Sequence, residues 1–103
     1  PLAGTWAMPA YLIADVKVSN PEQYLGYQAL TPAAIAAGGG EFVVRGGEAE
    51  VIEGDWIPNR VVVIRFPDMD AARKFYDSEL YRAARAARAG ATDLFNMILV
   101  QGV

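Results

Sequence analysis

The sequence contains no cysteine and no histidine. Without histidine there is no imidazole base, no Ser-His-Asp or Cys-His nucleophile, and none of the common zinc sites. Without cysteine there is no disulfide, and the redox compartment is not legible. Lysine is scarce too, limited to Lys17 and Lys74. No stretch approaches the ~18 consecutive apolar residues of a membrane span; the longest β-branched run, Val61-Val62-Val63-Ile64, reads as a buried strand. A formal net charge of −3 argues against a nucleic-acid or anionic-membrane partner. Any chemistry falls to carboxylates, tyrosines, arginines, the two lysines or a bound group. No metal and no cofactor are expected, and a cytoplasmic location is.

What is present is a chain of 103 residues, 53% of them hydrophobic. That is one domain, with more apolar surface than so small a domain comfortably buries. Residues 1–7, ahead of Met8, have no periodicity and are expected to be an expression remnant or a disordered leader, leaving residues 8–103 as the domain.

From Ala10 to Val18 the chain alternates. Leu12, Ala14, Val16 and Val18 share an apolar face, opposite Tyr11, Ile13, Asp15 and Lys17. Asn20-Pro21-Glu22 is a helix start, with Asn20 as cap and proline in the first position. Thr31-Pro32 should interrupt that helix and restart it, and Gly38-Gly39-Gly40 should end it. Glu41 to Trp56 reads as a strand, a bend at Gly46-Gly47 and a second strand segment, with Glu48 and Glu50 on a wet face. Arg60 to Phe66 is a further strand. Asp68 caps the next helix, Asp77-Ser78 breaks and recaps it, and Leu94 to Val100 is the last strand.

The order β-α-β-β-α-β is that of an α+β, ferredoxin-like domain, a four-stranded antiparallel sheet with its helices on one face. The other face would expose Ile13, Val61 and Val63, too apolar for water. A homodimer in which two sheets face each other is the economical solution.

Several blocks together carry a family resemblance. They include Val44-Arg45-Gly46-Gly47, Glu53-Gly54-Asp55-Trp56, and Tyr76 with Ser78 and Tyr81. From Met8 to Val103 the chain resembles the DUF1330 family. The resemblance implies the dimeric α/β-barrel superfamily, in keeping with the dimer argued above. It implies no activity, because that family has none assigned. Monooxygenases, muconolactone isomerases and chlorite dismutases are relatives by fold alone, and fold does not transfer function.

The candidate pocket residues are Asp15, Arg45, Glu53, Trp56, Arg65 and Tyr81. Alternation places Asp15, Arg45 and Arg65 on the sheet face away from the helices, where unpaired charge is expensive. One reading is a structural ion-pair network across the sheet or dimer. The other is the polar floor of a cavity for a small acidic or carbonyl-bearing molecule, with Arg45 as bidentate anion binder and Asp15 as base. Glu53 is expected near the pocket mouth, and Trp56 lines the cavity or packs across the dimer. Tyr81 is either a core aromatic or a phenol donor to a substrate carbonyl. Asn96 is either a satisfied amide or a pocket hydrogen-bonder. Arg82, Arg85 and Arg88 are expected to form a solvated basic face at a helix C-terminus.

Overall fold

The computed structural model describes residues 8–103, so the expectation for residues 1–7 lies outside the described chain. Strand β1 (Ala10–Val18) buries Ala10, Leu12, Ala14 and Val16, the apolar face of the alternation. Helix α1 (Pro21–Ala37) begins at Asn20, whose side chain accepts from the Gln23 backbone N–H at 3.1 Å. It then crosses the sheet without interruption. Pro32 does not break it, contrary to expectation, although it leaves the Gln28 carbonyl without a helical N–H donor. Gly39, at φ 79°, turns the chain out of the helix.

Strands β2 (Glu41–Arg45) and β3 (Val61–Phe66) follow. Helices α2 (Met69–Asp77) and α3 (Glu79–Arg88) are two pieces hinged at Ser78. The Ser78 hydroxyl donates to the Phe75 carbonyl at 2.7 Å and accepts from the Tyr81 N–H at 3.2 Å, ending one helix and starting the next. Strand β4 (Thr92–Gln101) completes an antiparallel sheet of order β2-β3-β1-β4. The fold is ferredoxin-like, as expected, with the second helix divided. The core lies between the sheet and the helices, with Phe66, Phe75 and Tyr81 in contact at its centre. Among the described residues no helix is long and apolar enough to cross a membrane.

The second strand segment expected at Glu48–Val51 does not form. Gly46 takes φ 69° and donates to the Val61 carbonyl at 2.8 Å, and beyond it the chain leaves the sheet as an exposed loop to Arg60. Strand β2 is an edge, so residues 48–51 have no neighbour to supply a ladder, and alternation alone does not make a strand. The charges of the Glu41–Trp56 stretch therefore lie at the rim of the sheet, not its middle.

Candidate functional site

Four residues of α1 form one stripe toward the sheet: Tyr24, Tyr27, Gln28 and Thr31, at the i, i+3, i+4, i+7 spacing that stacks side chains on one helical face. Phe42 and Arg45 from β2, Arg60 at the entry to β3, and Tyr81 from α3 border the same space. Between them lies a cavity of about 30 Å³, room for one water-sized group. Arg45 is the only exposed residue of the lining and so marks its mouth.

Arg45 faces the helices, not the opposite face assigned by simple alternation. The β2–β3 register shifts between Phe42 and Val44: Phe42 pairs with Ile64, Val44 with Val63 and Arg45 with Val62. The extra residue is a bulge, and one inserted residue reverses the facing of everything after it. Arg45 consequently stacks over the Phe42 ring, 4.4 Å from its centroid, and Nη2 donates to the Gln28 carbonyl at 3.4 Å. That carbonyl is free because Pro32, four residues on, has no N–H. The Thr31 hydroxyl also donates to it, at 3.4 Å.

Arg60 is half-buried, and its Nε lies inside the protein without an acceptor. A buried donor left unmade costs about 1–3 kcal/mol. Its guanidinium fills the space over Gly46, where a Cβ would collide with it. The cavity lining contains no carboxylate, and among the described residues neither Arg45 nor Arg60 forms an ion pair. Burial pushes the Tyr24 phenol up, while Arg60 and then Arg88 pull it back. Tyr27 is raised far above the ordinary phenol range, first by burial and then by Tyr81. Tyr27 and Tyr81 meet hydroxyl to hydroxyl at 2.7 Å in the buried interior.

Asp15 and Trp56 lie on the opposite face of the sheet. The Asp15 carboxylate accepts from the Asn59 N–H at 2.8 Å and from Trp56 Nε1 at 3.2 Å. The Asn59 bond above all, against the opposing effect of desolvation, holds its carboxyl below the usual range. Asp15 is thus an anchor for the long loop, and as a stabilised carboxylate it is a poor base. With Ile13, Asn96 and Ile98, Asp15 and Trp56 border a shallow cleft of about 170 Å³. Arg65 is paired with Glu41 at 2.6 Å on the same face. Glu53 is exposed on the loop and outside both linings.

Of the six sequence candidates, the structure brings only Arg45 and Tyr81 to the cavity. Tyr24, Tyr27, Gln28, Thr31 and Arg60 were missed, although the polar stripe at helical spacing in α1 was a readable signal. Arg85 and Arg88 are not simply solvated either. Arg85 lies 4.2 Å from the Tyr76 ring centroid and Arg88 3.7 Å from that of Phe95, half-buried and stacked. Among the described residues no three carboxylates cluster closely enough to hold a metal ion.

A family model described as a domain of unknown function, DUF1330, matches residues 9–103. No curated protein matches the chain. Among solved structures, a protein of unknown function from Rhodopseudomonas palustris superposes with a TM-score of 0.72 at 20% identity, covering 92% of this chain and 82% of that one. A dimeric ferredoxin-like protein of unknown function from Thermobifida fusca gives 0.63 at 19%, covering 92% of each chain. SnoaB, a cofactor-independent oxygenase from Streptomyces nogalater, gives 0.63 at 18%, covering 94% of this chain and 95% of its own. At such identities the likeness is one of fold.

Proposed function

Because the chain belongs to the DUF1330 family, whose description assigns no function, we propose its role from its own residues: it binds a small organic acid between α1 and the sheet. One observation carries the reading. Arg45 and Arg60 both line a cavity with no carboxylate in its lining, and among the described residues neither has an ion-pair partner. An anionic group held there would offset part of the charge of the two cations, which no lining residue does. Hydrogen bonds to charged groups contribute about 1.5–3 kcal/mol each, enough to set an affinity. The exposed Arg45 at the mouth meets the acid, and Phe42, Val62 and Ile64 supply apolar walls.

Isothermal titration of the protein with a panel of small monocarboxylates tests this. Arg45→Gln and Arg60→Gln, which remove charge and keep bulk, are each expected to weaken the best acid about tenfold or more. Unchanged affinity in both variants, or no acid bound by the parent protein, overturns the reading.

The proposal extends to assembly as a homodimer through the free sheet face. That face carries Ile98, 58% exposed, with Val44 and Val100, and the adjoining loop exposes Trp56 and Ile57. The description of the Thermobifida neighbour as dimeric supports it. Asp15 and Arg65, on this same face, are engaged in bonds within the chain. For those two, a purely structural role has the better support.

A further inference from the structure

We propose that the ligand is an oxo-acid, whose second oxygen is received at the closed end of the cavity by the Tyr27–Tyr81 hydroxyl pair. This deepens the acid-binding reading and rests on it.

Each phenol carries one O–H and can both donate and accept. Tyr27 and Tyr81 are 8% and 1% exposed, and their oxygens lie 2.7 Å apart. That bond consumes one of the two protons. Whichever hydroxyl donates, the other keeps an O–H that meets no protein acceptor among the described residues. Both residues line the cavity, so the remaining proton is available to whatever occupies it. Burial, with the neighbouring Tyr81, pushes the Tyr27 phenol far above the ordinary phenol range, so Tyr27 stands there as a phenol and not an anion. It suits a carbonyl oxygen better than a cation.

The rest of the site adds polarity along an axis. Arg45, the exposed member of the lining, stands at the mouth, and Tyr81 from α3 is almost wholly enclosed. Arg60 lines the same cavity as a second cation. A space of about 30 Å³ admits one oxygen-sized group, not a whole ligand. The ligand body therefore sits in the mouth under the arginines, and a single acceptor oxygen enters the interior. A simple fatty acid would leave the phenol proton unmet, and a site built to hydrogen-bond a ligand group discriminates against the analogue that lacks it.

The test is calorimetric titration with 2-oxo, 4-oxo and 5-oxo acids, each beside its parent acid of the same chain length, in the wild type and in Tyr27→Phe and Tyr81→Phe. At least one oxo-acid is expected to bind about tenfold more tightly than its parent, and that preference to fall to near unity in the one of the two variants that loses the ligand-facing hydroxyl. If parent and oxo-acids bind equally in the wild type, this inference fails while acid binding stands. A preference that survives both substitutions likewise overturns it. If no acid binds at all, the acid-binding reading fails and takes this one with it. Should a variant not fold, judged by its thermal transition, the wild-type comparison decides alone.

Discussion

The Gln28 carbonyl accepts from the Arg45 guanidinium at 3.4 Å, across the gap between α1 and the edge of the sheet. Helical geometry would give that carbonyl the N–H of residue 32, but residue 32 is proline. A defect in the helix thus becomes a docking point for the cation that marks the mouth of the cavity.

Pro32→Ala should restore the helical bond and raise stability by about 1 kcal/mol or more, since proline is the poorest helix former. Arg45→Ala should cost less than about 1 kcal/mol, because the side chain is exposed and its bond is long. Urea denaturation of the two variants checks both signs. A loss of several kcal/mol in Arg45→Ala would make the arginine structural.

Gly46→Ala should destabilise by about 1–2 kcal/mol for the left-handed backbone alone. It should also weaken acid binding, since the new Cβ collides with the Arg60 guanidinium. Gly54, at φ 94° with nothing within 4 Å of a Cβ, is the control. Gly54→Ala should show strain without loss of affinity, measured by denaturation and titration side by side.

Asp15 sets a pH dependence. Its folded-state carboxyl is held below the unfolded value, chiefly by the Asn59 N–H. It therefore contributes stability that is fully present above the ordinary Asp range, about pH 4, and is lost as pH falls through the lower folded value. The Asn59 amide resonance should report that titration with a midpoint below the ordinary one. In Asp15→Asn the titration should vanish and amide exchange at Asn59 should quicken.

Ile98→Lys places a charge on the free face, where the side chain is already 58% exposed, so the monomer fold should survive. Sedimentation should show a dimer for the wild type at micromolar concentration and a monomer for the variant. Leu25→Lys, on α1 at a site 61% exposed, should stay dimeric. A wild type that sediments as a monomer removes the dimer from the proposal.

Much of the fold was legible in short-range signals. The Asn20-Pro21 start, the Ser78 double cap and the alternation of β1 each appear where the residues place them, because caps and periodicity act over a few residues. Glu48–Val51 alternates just as well and is not a strand, for want of a neighbour. Alternation also misplaced Arg45, because nothing local distinguishes a strand with a bulge at Val43 from a regular one.

By itself the sequence determined the class of fold, the absence of histidine and cysteine chemistry, and the helix and strand faces that must be buried. Those follow from composition and from periods of 2 and 3.6 residues. Only the tertiary structure decided that Asp15 bonds the long loop and Arg65 pairs with Glu41, while Arg45 stacks on Phe42 at the mouth of a cavity also lined by Arg60, Tyr27 and Tyr81. The cavity depends on a register shift, a proline-freed carbonyl and residues from β2, β3, α1 and α3. Such convergence is a property of packing through space, and no stretch of chain carries it alone.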